Sequence, residues 1–304
     1  MLEMFKFARN GDKDGKAPKP EKPGKPKKAK PAKPPKPAPV LPPGIIGVDE
    51  AGRGPVMGPL VVVALRVEDD AILRELEVRD SKALTPARRE ELYDRIKSVS
   101  KFQVEIVTAE EIDELRKSRN LNEIELDLFA AAIGKLLVEG DKIFVDAADV
   151  REGYFGDQVA LRLKQGKSPC NFEMVSKHKA DAIYPVVSAA SIIAKVTRDR
   201  IIRDIEKELR KTLDKPLGSG YPSDSVTIHF MENWIKTKGD LPPHTRRSWD
   251  TSRHLLATAK TISLDQFGIW TDAAGNLKPK EPDEENTDEA YKRDDAEQEG
   301  SSEK

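Results

Sequence analysis

"GVDEAGRGPVMGPL", residues 47–60, sets two carboxylates against a glycine-rich bend between apolar runs. Ile45-Ile46 precede it and Leu60-Val61-Val62-Val63 come after it, so two short strands joined by a tight connection are expected. Asp49 and Glu50 then stand where a buried strand meets a loop. Three readings compete: a nucleotide-binding loop, a metal-binding catalytic edge, and a charged turn with no further role. The residues after the bend weigh against the first. A dinucleotide fingerprint needs glycines that open a helix, whereas Pro55, Pro59 and the valine run continue the chain as a strand. No Gly-Lys-Ser/Thr comes after the glycines either, so the Walker pattern is absent.

From residue 44 onward, strand-like and helix-like segments alternate. "TPARREELYDRIKS" starts with Thr85 as an N-cap and Pro86 at the first helical position. "KFQVEIVT" alternates as a third strand, and Thr108 with Glu111 forms a capping box behind it. "LNEIELDLFAAAIGKLLV" carries apolar residues at helical spacing. "DKIFVDAAD" is a fourth strand and "NFEMVS" a fifth. "DAIYPVVSAASIIAKVTRDRIIRDIEKEL" reads as one long helix in which Pro185 fits only the first turn, placing Asp181 near the start. After Gly218-Ser219-Gly220 the chain is helical and loop-like to about residue 259. The expected fold class is α/β, a mixed sheet flanked by helices with a small C-terminal helical cap.

The fourth strand, like the first, ends in a carboxylate, Asp146. If the two strands are neighbours, Asp49 and Asp146 lie side by side and repel. A divalent cation resolves that repulsion, and Mg²⁺ prefers hard oxygen ligands. Asp181, near a helix N-terminus, is held ionised by the local dipole and projects to the same place. Asp49 and Glu50 face opposite sides of a regular strand, so they share an ion only if the backbone bends between them. Each acid taken singly reads as a solvated strand-end residue; four at element ends point to metal. Spacing alone does not rank them above Asp149 or Glu173.

Charge is segregated to the ends of this chain of 304 residues. Residues 1–43 carry twelve basic and four acidic side chains, whereas residues 272–304 carry five and twelve. Both ends lack apolar content to bury and read as disordered tails, the first Lys/Pro-rich and extended. Its role is open between solubility and attraction to nucleic acid or a partner. No apolar stretch approaches the ~20 residues of a membrane span. Cys170 stands alone, which excludes an internal disulfide and fits a reducing cytoplasm. The histidines at 178, 229, 244 and 254 have no zinc-like spacing with it. A soluble, cytoplasmic monomer is expected.

"GVDEAGRGPVMGPLVV", "DSKALT", "FVDAAD", "SKHKADAIYPVVSAASIIAK" and "GSGYPSD", in that order between about 45 and 255, together resemble ribonuclease HII of the archaeal type. The resemblance implies an RNase H-like catalytic domain over 44–217 and a helical cap over 218–271. It implies hydrolysis of the RNA strand of RNA–DNA hybrids, and cutting at ribonucleotides embedded in duplex DNA. Asp49, Glu50, Asp146 and Asp181 would be the catalytic acids and the ligands of Mg²⁺ or Mn²⁺. Gly52, Arg53 and Gly54 let the backbone approach a 2′-hydroxyl closely; in the family this loop and the tyrosine matching Tyr221 read the ribonucleotide and the next sugar. Lys82 of "DSK" would meet a phosphate. The alternative, a hybrid-binding protein of the same fold that does not cut, has no reason to keep an anionic cluster beside phosphates. "DEAGRG" disfavours a ribonuclease HIII-like enzyme. "HTRRSW", residues 244–249, is either a phosphate-binding strip or an arginine stacked on a core tryptophan. In "KTISLDQFGIW", residues 260–270, Leu264 and Phe267 would share one side of a 3₁₀ turn. That plug is similar to sliding-clamp-binding motifs, departing from them at Thr261 and Gly268, and makes the sliding clamp a candidate partner.

Overall fold

The computed structural model describes residues 41–78, 84–148, 151–166, 171–266, 269–271 and 276–279. At its centre lies β1 (Ile45–Ala51). On one side β2 (Leu60–Val67) and β3 (Lys101–Val107) add in antiparallel fashion; on the other β4 (Lys142–Asp146) and β5 (Glu173–Lys177) run parallel, giving the order β3-β2-β1-β4-β5. All eight residues of β2 are buried, because helices cover both faces of the sheet. The two-residue period sorts its valines. Val61, Val63, Leu65 and Val67 pack towards α1 (Ala71–Glu75), α2 (Pro86–Val99) and the long α7 (Pro185–Leu209). Val62 and Ala64, with Ile46, Val48, Ile143 and Val145, pack towards α4 (Leu121–Gly134) and α5 (Glu152–Gln165). Between β3 and α4, α3 (Ala109–Leu115) opens on the expected Thr108–Glu111 capping box.

The stretch expected to be one helix is two. A four-residue turn of helix, α6 (Ala180–Ile183), ends at Tyr184, which is extended (φ −111°, ψ 118°); α7 then begins with Pro185 at its first position. The residue before a proline is pushed out of the helical region, so the break falls at Tyr184 and Asp181 belongs to α6. The small residues of α7 serve close packing. A Cβ at Gly47 of β1 would lie 2.3 Å from the Val186 backbone.

The C-terminal helices share a core with the body. Phe230, Met231, Trp234 and Ile235 of α8 (Ser225–Lys238) pack on Ile202, Ile205 and Leu209 of α7 and on Val56 and Met57 from the β1–β2 connection. α9 (Asp250–Gln266) runs beyond residue 259 and takes in Leu264, so an α-helix stands where a 3₁₀ turn was expected; the side chain of Leu264, and Phe267 entirely, fall outside the described residues. A strand pair, β6 (Ile269–Thr271) with β7 (Leu277–Pro279), comes next, so the expected acidic tail contains an element of structure. Among the described residues no helix is long and apolar enough to cross a membrane.

At the end of β1 away from Asp49, the buried Asp141 carboxylate accepts from the Gly44 amide (2.7 Å), the Val138 amide (2.9 Å) and two Arg66 nitrogens (2.8 and 2.9 Å). Burial alone would raise the Asp141 carboxyl, but the Arg66 hydrogen bonds, joined by the two amides and the Arg66 charge, outweigh it and hold it below the usual range. A depressed folded pKa contributes stability at any pH above the unfolded value of about 4, lost as pH falls through the folded one. Asp141→Ala strands a buried guanidinium and costs about 3–5 kcal/mol. Denaturant melts of both proteins at pH 7 and pH 3 check this, with the gap narrowing in acid.

Candidate active site

β1 and β4 pair in register through Val48 and Val145, and the next residue of each is an aspartate. Asp49 and Asp146 therefore stand side by side, on the face covered by α7. Behind β5 the chain turns sharply at Lys179, a non-glycine residue in the left-handed region (φ 55°). The turn brings the Ala180 amide onto the Asp146 carboxylate at 3.0 Å and carries Asp181 inwards, where the Ser188 hydroxyl of α7 donates to its carbonyl. One oxygen each of Asp49, Asp146 and Asp181 lies within 4.8 Å of the others, forming the one such acidic group among the described residues. A four-residue helix has little dipole to offer, so it is the turn that places Asp181.

The trio is costly. Burial first, then the charges of Glu50 and Asp146, push the Asp49 carboxyl well above its ordinary value, against the pull of the Ser191 hydroxyl and the Glu50 amide. Glu50 is pushed up to about 7 by burial and by the Asp146 charge, with Arg53, Asp49 and its own amide opposing. β1 stays regular through Ala51, so alternation turns Glu50 to the other face of the strand and outside the 4.8 Å group. It nonetheless lines the same cleft, about 250 Å³, with Asp49, Asp146, Gly52, Arg53, Gly54, Arg89, Ser191, Lys195 and Tyr221. One Glu50 oxygen is buried there without a hydrogen-bond partner. Repelling carboxylates, an orphaned oxygen and no thiolate or imidazole donor make a set that fits a hard divalent cation.

The loop after β1 is held from three sides. Gly52 has φ +95°, and a Cβ there would lie 2.4 Å from the Pro59 carbonyl oxygen and 2.7 Å from the Arg198 side chain. The Arg53 side chain turns to α4, where it pairs with the buried Glu125 and donates to Asn122 at 2.6 Å. Arg246, fully buried, donates to the carbonyls of Gly52 (2.6 Å), Arg53 and Gly58 (both 3.0 Å) and lies 4.9 Å from the Trp249 ring. "HTRRSW" is thus an arginine on a core tryptophan, and Arg247 pairs with Asp240 at 2.6 Å. Tyr221 is no core aromatic. Its ring edge lies 3.9 Å from where Gly54 would carry a Cβ, and the Arg198 guanidinium lies 5.2 Å from the ring. His178 borders the site, its Nδ1 3.2 Å from the Ala147 carbonyl. Glu173 starts β5 at the far end of the sheet, paired with Lys142. Lys82 and Asp149 fall outside the described residues. The residue missed from sequence is Arg198, which lies four residues from both Ala194 and Ile202 on the buried stripe of α7, the one signal that marked it; for Arg246 the sequence left two readings open.

A mixed sheet of this order, with acids gathered at the end of adjacent parallel strands, defines a metal-dependent nuclease of RNase H-like fold. Residues 46–252 match the family model "Ribonuclease HII", and the chain belongs to that family. It is 43% identical over 228 residues to a ribonuclease HII of Pyrococcus abyssi, covering 73% of this chain and 96% of the relative. With that of Thermococcus kodakarensis it shares 45% over 235 residues, covering 73% and 97%. Among solved structures, ribonuclease H2 of Pyrococcus horikoshii superposes with a TM-score of 0.63 at 40% identity, over 71% of this chain and 99% of that one. The PCNA:RNase HII complex of Archaeoglobus fulgidus gives 0.61 at 37%, over 69% and 96%. The protein is an endoribonuclease that acts on RNA–DNA hybrids and depends on a divalent metal.

Because repulsion strains the metal-free site, Asp49→Asn stabilises the protein without metal while removing its response to metal. In chelator at pH 8 the variant should melt about 2–4 °C above wild type, on the order of 1 kcal/mol. Millimolar Mg²⁺ should raise the wild-type Tm only. Calorimetric melts in chelator and in Mg²⁺ check both halves.

Proposed function

We propose that Asp49, Asp146 and Asp181, joined by Glu50 from the other face of β1, hold Mg²⁺ or Mn²⁺, and that the enzyme also cuts at single ribonucleotides embedded in duplex DNA. The observation that carries this reading is the convergence of three carboxylates within 4.8 Å beside the Gly52–Gly54 loop. A bound pair of divalent ions supplies charge neutralisation at the phosphate and an activated water. The protein's own part is placement. The Ala180 amide orients Asp146, and the Ser191 hydroxyl orients Asp49. The glycines admit the sugar backbone close to the loop amides, where a 2′-hydroxyl distinguishes RNA from DNA. The Tyr221 ring, steadied over Arg198, is set to pack on the following sugar, and Lys82 contacts a phosphate.

A protein that only binds hybrids would gain by losing the acids. Asp146→Asn keeps the shape and removes the charge. It should lower cleavage of a duplex with one ribonucleotide by about 10²–10³-fold, the scale of losing one preorganised stabilising group at the transition state, with hybrid affinity held within a few-fold. Single-turnover cleavage and equilibrium binding in Mg²⁺ are the checks, and near-normal turnover by the variant removes Asp146 from the site.

The sliding clamp is the proposed partner of the segment at 260–270. What supports it is the Leu264/Phe267 pattern, together with the complex that the Archaeoglobus fulgidus ribonuclease HII forms with PCNA. Titration calorimetry should give micromolar binding for wild type and none for Leu264→Ala/Phe267→Ala at unchanged Tm. No heat from wild type at micromolar clamp assigns the segment to the fold alone.

A further inference from the structure

Two arginines are buried behind the Gly52–Gly54 loop, Arg246 fully and Arg198 to within 1%. Neither forms an ion pair with a carboxylate among the described residues. Their partners are carbonyl oxygens and ring faces: Gly52, Arg53 and Gly58 with Trp249 for Arg246; Met57 and Ser219 with Tyr221 for Arg198. Burial, then the Arg198 charge beside it, pull the Arg246 pKa down, which reflects what this placement costs. A stability role alone is served better by apolar side chains, since a buried charge is expensive to keep.

The geometry states what the cost maintains. Among the described residues every peptide bond is trans, and in a planar trans peptide the carbonyl of one residue points opposite to the amide of the next. Arg246 draws the Gly52 carbonyl inwards, so the Arg53 amide points away from it. It draws the Arg53 carbonyl inwards as well, so the Gly54 amide also points away. Neither amide donates a hydrogen bond among the described residues. The result is two successive unsatisfied donors, in a stretch that lines the cleft with Glu50 and Tyr221. Arg198 fixes both borders of the stretch, touching the space beside Gly52 and lying under the Tyr221 ring.

We propose that Arg246 and Arg198 are positioning residues for sugar specificity: they turn the Gly52 and Arg53 carbonyls inwards so that the Arg53 and Gly54 amides are presented as a fixed pair of donors to the ribose 2′-oxygen. The inference deepens the substrate reading above and rests on it. Lysine cannot replace arginine here, because one ammonium has no planar fork to span three carbonyls. Arg246→Lys therefore keeps the charge and releases the loop.

The test uses the full chain with Asp146→Asn to suppress cutting, with and without Arg246→Lys, in Mg²⁺. Affinity is measured for a duplex with one ribonucleotide and for the same duplex as DNA throughout. The Arg246→Lys variant should lose about tenfold in the ribonucleotide-to-DNA affinity ratio, the scale of one or two lost hydrogen bonds, with DNA affinity unchanged. A preserved ratio, or equal losses on both duplexes, overturns the positioning role while leaving the substrate reading in place. Absence of any ribonucleotide preference in the parent sinks the substrate reading, and this inference with it. Amide hydrogen exchange on the parent gives a second readout that does not depend on the variant folding. The Arg53 and Gly54 amides should exchange rapidly when free and become protected by the ribonucleotide duplex but not by DNA. Equal protection by both duplexes, or by neither, overturns the proposal.

Discussion

Repulsion among three carboxylates within 4.8 Å is the constraint that the rest of this structure answers to. No isolated strand or helix would hold them there, so each is fixed by something stronger than its own preference. Asp49 sits on the central strand, paired on both sides and covered by α7 with backbone against backbone at Gly47. Asp146 is held by register and by the Ala180 amide, and Asp181 by a left-handed turn. The two ends of β1 make the contrast plain. At the Gly44 end, Asp141 and Arg66 neutralise each other, and the carboxylate also accepts from the Gly44 and Val138 amides. At the Asp49 end, burial and repulsion among the acids outweigh the Ser191 and Arg53 contributions and push the Asp49 and Glu50 carboxyls up, as expected of a functional site.

Much of this was legible in the sequence, because two-residue alternation and cap signals are local. β1 to β5 and the Thr85 and Thr108 caps can be read from residues a few positions apart, whereas the pairing of Asp49 with Asp146 followed only on the condition that β1 and β4 are neighbours, which the sheet order meets. What was hidden depends on distant partners. α5 escaped notice because Gly153 and Gly156 thin its apolar stripe, yet at Gly156 a Cβ would lie 2.7 Å from Ser176 of β5, so the glycine serves close packing. Lys179 carries no mark of its left-handed backbone. Arg246 takes its carbonyl partners from almost two hundred residues upstream, and nothing near "HTRRSW" distinguishes a buried arginine from one facing phosphate. The break at Tyr184 was half visible, since Pro185 announced a helix start and only the helical look of the preceding residues masked it. The strand pair after α9 is too short for alternation to register.

One helix connects the parts of the site that do different work. Ser188 holds the Asp181 carbonyl, Ser191 the Asp49 carboxylate, Lys195 lines the cleft, and Arg198 supports Gly52 and Tyr221. These positions recur at intervals of three and four, so they form a single stripe along α7. The helix serves as a gauge: from Ser191, beside the acids, to Arg198, beside the loop, seven residues advance about 10 Å along its axis. The offset between the Gly52–Gly54 loop and the carboxylates is thereby set by helical rise. It is a length written in turns of a rod, and no rearrangement of a surface loop would alter it.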